Sequence, residues 1–117
     1  MSPRDLRAII ANEVYDISSE SALQCGIESR LVEFGVSFKR EVHLSPGDRI
    51  DFTVGGIGVE VKTGGSRAAL IRQLMRYAKH DDVTDILVVT TVMSLARLPD
   101  SLNGRRIHTL VLDTCLF

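Results

Sequence analysis

Asp51, Glu60 and Lys62 stand in one short run, RIDFTVGGIGVEVK (residues 49–62), in which apolar and polar residues alternate. Two carboxylates and an amine can hold a divalent cation and steer a water molecule if the chain folds them onto one spot. Gly55-Gly56 supplies the means, because glycine tolerates the positive φ of a two-residue primed turn. That turn sets Val54 opposite Ile57, Phe52 opposite Val59 and Asp51 opposite Glu60, with β-carbons about 5 Å apart. Lys62 follows on the Glu60 face, about 7 Å along the strand. The expected apolar side is Ile50, Phe52, Val54, Ile57, Val59 and Val61; Arg49, Asp51, Thr53, Gly58, Glu60 and Lys62 form the polar side. A solvated polar face usually sets opposite charges across from each other, since like charges directly opposed are destabilising. This register pairs acid with acid, and base with base (Arg49 with Lys62). Two close carboxylates share a proton or bind a cation.

The flanking segments must carry this hairpin. Ser18-Ser19 offers an N-cap, with Glu20 in the first turn; Leu23, Ile27, Leu31 and Phe34 recur at helical spacing, and Gly35 stops the run. The spacing predicts a helix over 19–34. Alternation of Val36, Phe38, Arg40, Val42 and Leu44 predicts a strand over 36–44, closed by the turn Ser45-Pro46-Gly47-Asp48. After Gly64-Gly65-Ser66 a second helix is predicted to about residue 80, striped by Leu70, Leu74 and Ala78. DILVVTT (85–91) is a dense apolar run that suits a buried strand. Residues 93–103 form a mixed connection broken by Pro99, and 107–112 a last buried strand; residues 3–15 are weakly helical. The order α-β-β-β-α-β-β, with an extra N-terminal helix, predicts an α/β fold: a mixed central sheet flanked by helices. The second helix is the crossover that brings 85–91 beside the hairpin.

At 117 residues the expectation is one domain. A net charge of −1 excludes bulk attraction to nucleic acid or anionic membrane, so polyanion contact must come from a local patch. The absence of Trp argues against a stacking platform for single strands. Cys25 and Cys115 have no CxxC spacing, and His43, His80 and His108 are scattered, so neither a disulfide framework nor a zinc site is expected. With no apolar leader or membrane-length run, a cytoplasmic location is expected.

Asp51 followed by Glu60-Val61-Lys62 resembles the D…(D/E)xK signature of the PD-(D/E)xK phosphodiesterase superfamily, which includes restriction endonucleases, Holliday-junction resolvases and RecB-like nucleases. The proline that names the motif is replaced by Ile50. The order of predicted elements is similar to the superfamily's αβββαβ restriction-endonuclease-like core, over about 19–91. The resemblance implies Mg²⁺, with Mn²⁺ as a substitute, held by Asp51, Glu60 and the backbone carbonyl of Val61. Lys62 would orient or help deprotonate the attacking water, leaving 5′-phosphate and 3′-hydroxyl ends. The implied activity is DNA hydrolysis by a structure-selective or partner-directed endonuclease, Holliday-junction-resolvase-like, working as a homodimer or within a larger nuclease or recombination complex. A non-catalytic nucleic-acid-binding or assembly module on the same fold is the alternative; it predicts a degenerate site, whereas Asp51, Glu60 and Lys62 are all present.

Two more features fit the resemblance. The family often places a Glu on the first helix facing the site; Glu20 lies on the apolar stripe, though an acid there is also favoured by the helix dipole, and Glu28 is the substitute. Gln73 and Tyr77 look like the QxxxY motif of RecB-like nucleases, on one helix face at i, i+4; an ordinary amphipathic edge reads the same way. Phosphate contacts are expected from Arg67, Arg72, Arg76 and Lys79 on the second helix, which carries no acid from Ser66 to His80, and from Arg40 and Arg49 on neighbouring strands.

Overall fold

Among the described residues, serine caps the start of each α-helix. Ser2, Ser19 and Ser66 accept from the amides of Asp5, Ala22 and Ala69 at 3.1, 3.0 and 3.1 Å, each taking up an N–H that the first helical turn leaves unpaired. The helices so started are α1 (Pro3–Ala11), α2 (Glu20–Glu33) and α3 (Arg67–Tyr77). The structure is a computed structural model and describes residues 1–112; Cys115 lies outside the described residues.

Six strands form one mixed sheet: β1 (Lys39–Ser45), β2 (Asp48–Val54), β3 (Ile57–Lys62), β4 (Asp85–Thr90), β5 (Ser101–Leu102) and β6 (Arg105–Val111), in the order β1-β2-β3-β4-β6-β5. β1, β2 and β3 meander antiparallel; α3 then crosses over so that β4 runs parallel to β3 along all six residues from Ile57–Asp85 to Lys62–Thr90. β6 continues parallel to β4. The protein is thus an α/β fold with its mixed sheet flanked by helices.

Two cores lie on opposite sides of the sheet. Leu6, Ile10, Leu23, Ile27 and Leu31 of α1 and α2 bury Phe52, Val54, Ile57, Val59, Val61, Leu87 and Val89. On the other side, Leu70, Leu74, Tyr77 and Ala78 of α3 and its C-terminal end cover Ile50, Ile86, Val88 and Ile107. Arg30 of α2 docks α1: its guanidinium donates to the carbonyls of Ile9 and Asn12 at 2.9 and 2.7 Å, at a helix end with no basic residue of its own.

Some predicted boundaries move. The first strand begins at Lys39 rather than Val36, because the positive φ of Gly35 (66°) turns the Val36 amide back to Leu31 O at 2.9 Å; residues 36–38 close the helix instead. The last strand begins at Arg105 rather than 107. Asn103 and Gly104, with φ of 48° and 81°, form a tight turn that pairs Ser101 with Arg106. The 93–103 connection opens on a 3₁₀ turn over Met93–Ala96.

Candidate active site

Positions β2 and β3 share hold the predicted register as far as Phe52–Val59 and no further: Val54 pairs Ile57, Thr53 pairs Gly58, Phe52 pairs Val59. The expected backbone pair Asp51–Glu60 does not form. The cause lies one strand away. Glu41 of β1 has φ 50°, a left-handed conformation, and the β1–β2 ladder joins Arg40 to Phe52 and Val42 to Ile50 without joining Glu41 to Asp51. Across that kink the faces exchange. Phe52 packs under α2, whereas Ile50, two residues away and expected on the same side, is buried under α3. The predicted single apolar side is therefore split at Asp51.

The polar side is only partly a wet face. Arg49 is exposed and Asp51, Thr53 and Lys62 are half-buried, whereas Gly58 and Glu60 are buried and Ile50 fills the space above Gly58, leaving no room for a β-carbon there. Glu60 is 3 % exposed.

Where β2 leaves the ladder, side chains take over its hydrogen bonds. The amide of Val61 donates to Asp51 Oδ2 at 2.8 Å, and the amide of Asp51 points to Glu60 Oε1 at 3.3 Å. One turn of pleat further on, the amide of Thr63 donates to Glu20 Oε1 at 3.1 Å. Three carboxylates thus gather along the edge of β3 that β2 vacates. Lys62 Nζ lies 3.4 Å from Glu60 Oε2. Glu20 rather than Glu28 reaches this place; Glu28 instead binds Arg40 at 2.9 Å.

From the α3 side, the Tyr77 hydroxyl donates to Arg49 O at 2.7 Å, accepts from Gln73 Nε2 at 2.7 Å and stands 3.5 Å from Glu60 Oε1. Gln73 and Tyr77 thus form one hydrogen-bonded unit that braces the strand carrying Asp51 against the buried Glu60.

Burial, then repulsion from Asp51, pushes the Glu60 carboxyl up to about 8 from its ordinary 4.5; the Lys62 ammonium offsets part of this. Asp51 is also raised, by burial first and by the charge of Glu20. Tyr77 is raised by burial and by the charges of Glu60 and Asp51. A cation at these oxygens would relieve all three. Among the described residues no group of three or more His, Cys, Asp or Glu side chains is placed to hold a metal ion, so Asp51 and Glu60 would need a further donor. The Val61 carbonyl suits that part, because N–H and C=O of one strand residue point the same way and its N–H points at Asp51. An all-oxygen set fits Mg²⁺ or Mn²⁺.

A groove of about 250 Å³ adjoins the site, lined by Lys62, Gly64, Gly65, Ser66, Ala69, Leu70, Gln73 and Arg76. Arg49, Arg67, Arg72, Arg76 and Lys79 are exposed; Arg76 pairs with Asp48 at 3.0 Å, and the Nε of Arg67 donates to Arg97 O. Arg40 departs from expectation. Its guanidinium lies over the Phe52 ring and binds Glu28 and Gln24 at 2.9 and 2.7 Å, so it belongs to the packing of α2 and not to the groove. Sequence reasoning also passed over Asp48, which gathers Ser45, Arg76 and His80; its only signal was an acid at the end of a turn.

No helix among the described residues is long and apolar enough to cross a membrane. A scan against protein-family models, a search of curated proteins and a search of solved structures returned no match to this chain.

Proposed function

We propose that this chain is a metal-dependent phosphodiesterase of the PD-(D/E)xK kind that hydrolyses DNA. The observation that carries the reading is the convergence of Asp51, Glu60 and Lys62 at the point where β2 parts from β3, with a buried carboxyl raised to about 8. Surface charges do not explain a buried acid beside another acid; a site for a cation does. The element order α2-β1-β2-β3-α3-β4 supports a restriction-endonuclease-like core.

In this reading Asp51, Glu60 and the Val61 carbonyl hold Mg²⁺, or Mn²⁺ in its place. The ion supplies charge stabilisation for the phosphorus oxygens. Lys62, only 23 % exposed, orients the attacking water and gives its charge to the phosphate. Glu20 fixes the chain just beyond Lys62 through the Thr63 amide, and Gln73 with Tyr77 fixes the approach to Asp51 through Arg49 O. Arg72, Arg76, Lys79, Arg67 and Arg49 take the flanking backbone. The substrate class is duplex or branched DNA, with specificity in DNA structure or in a partner, and a homodimer would cut both strands.

Incubation with Mg²⁺ or Mn²⁺ and supercoiled, linear, flap and four-way-junction DNA, with RNA alongside, tests this. Cleavage leaving 5′-phosphates, lost in Glu60→Ala and Lys62→Ala while the circular dichroism of both stays native, is the expected result. Undiminished cleavage in either variant removes the assignment.

A further inference from the structure

Arg76 is held before any ligand arrives. Its Nε donates to Asp48 Oδ1 at 3.0 Å, and the same carboxylate takes Ser45 Oγ at 3.2 Å and lies 3.3 Å from His80 Nε2. The Asp48 side chain is 13 % exposed and that of Arg76 is 52 %. These donors hold Asp48 below the usual carboxylate range, His80 foremost, then Arg76 and Ser45.

The contact uses Nε alone. Among the described residues neither terminal nitrogen of Arg76 makes a protein hydrogen bond, and Arg76 lines the groove together with Lys62, Gly65 and Gln73. A guanidinium is planar, so anchoring Nε also fixes where its other two nitrogens present their donors. An arginine on a solvated helix face ordinarily loses rotamer freedom when it binds. Here the ordering precedes binding.

We infer that Asp48 is a positioning residue, which aims the free edge of Arg76 across the groove to take a backbone phosphate of nucleic acid beside the site at Glu60 and Lys62. The identity of the ligand rests on the nuclease reading. Charge alone argues the opposite effect for Asp48, since an acid beside a phosphate site repels the ligand. That opposition makes the inference decidable.

The test is fluorescence-anisotropy titration of a short DNA duplex in Ca²⁺, at several salt concentrations, with the wild type, Asp48→Ala, Asp48→Asn, Arg76→Gln and the double variant Asp48→Ala/Arg76→Gln. Asp48→Ala and Arg76→Gln should each weaken binding about three- to tenfold and lower the logarithmic salt slope by about 0.9, the loss of one phosphate contact. The double variant should bind no more weakly than Arg76→Gln, because the two act as one unit. Asp48→Asn retains an acceptor for Nε and should recover most of the affinity. Tighter binding by Asp48→Ala, or additive losses in the double variant, overturns the inference. If Asp48→Ala does not fold, Arg76→Lys carries the test: it keeps the charge and loses the anchored fork, so wild-type affinity there also overturns it. A wild type that binds duplex but cuts nothing removes the nuclease reading and leaves these comparisons standing; a wild type that binds no DNA overturns the inference itself.

Discussion

The backbone amide of Val61 donates to the carboxylate of Asp51 at 2.8 Å, in the place where a strand neighbour's carbonyl would normally sit. Asp51 in turn offers its own amide to Glu60 at 3.3 Å. The two acids are therefore fixed by the sheet's own hydrogen-bonding groups, and several outcomes depend on that.

Glu60→Gln should stabilise the protein in alkaline solution. The folded chain holds the Glu60 proton up to about pH 8, whereas an unfolded chain loses it above 4.5. Stability therefore falls as pH rises through that window and levels off beyond it. The variant lacks this term, so the two proteins should agree below pH 4.5 and diverge by about 4–5 kcal/mol at pH 8.5. Urea unfolding at both pH values measures the gap, and equal stability at pH 8.5 would contradict the burial of a titrating carboxyl.

Mg²⁺ binding should release protons. Below about pH 8 the Glu60 carboxyl must ionise before its oxygens can hold a cation. Titration calorimetry at pH 7 in two buffers of different ionisation enthalpy should show proton release, shrinking to nothing by pH 9.5. Asp51→Asn should bind Mg²⁺ at least tenfold more weakly, with the loss of one charged ligand.

Tyr77→Phe should cost about 1–3 kcal/mol although it changes one atom. The hydroxyl is the hydrogen-bond donor to Arg49 O and the acceptor for Gln73, and the residue is 1 % exposed. Denaturant midpoints at pH 6, where Glu60 is protonated, isolate this from electrostatics. A change within 0.3 kcal/mol would mean that water replaces the hydroxyl there.

Glu20→Gln and Glu28→Gln separate two acids of one helix. Glu20 accepts from Thr63 and raises Asp51, whereas Glu28 holds Arg40. Cleavage should fall at least tenfold in Glu20→Gln and stay within twofold of wild type in Glu28→Gln. The reverse order would put the site on the wrong turn of α2.

Arg30→Ala should loosen α1 without touching the site. The lost bonds to Ile9 O and Asn12 O leave α1 held by Leu6 and Ile10, by Arg7 Nε on Thr109 O and by the Tyr15 hydroxyl on Ile10 O, at a cost of about 2–3 kcal/mol for charge-assisted hydrogen bonds. Hydrogen exchange should accelerate in α1 before it does so in β3 or β4.

Much of this arrangement is legible in the chain. The Gly-Gly turn sets the Val54–Ile57 register, Ser19 and Gly35 bracket α2, and the apolar density of 85–91 marks a strand covered on both faces. The kink at Glu41 is not legible, because nothing in KREVHL marks a left-handed residue, and with it goes the placement of Val42 and Ile50 on one side and Phe52 on the other. Arg40 misled for a related reason: alternation places it on a strand but not on the face that meets α2. The Asn103-Gly104 hairpin is not read from the sequence, because Pro99 and the two-residue length of β5 make residues 93–103 look like an irregular connection. Asp48 shows in the sequence only as an acid closing a turn, since two of its partners, Arg76 and His80, come from about thirty residues away.

β3 is the one strand bordered along its whole length by β4 and along only half of it by β2. Its far half is stitched to the neighbouring elements by carboxylates instead. Opening this seam would disperse the site, because the acids that close it are the same groups that form it. The site and the sheet then belong to one cooperative unit. Ligand binding at the seam should raise the barrier to opening of β3 while leaving α1 as quick to exchange as before.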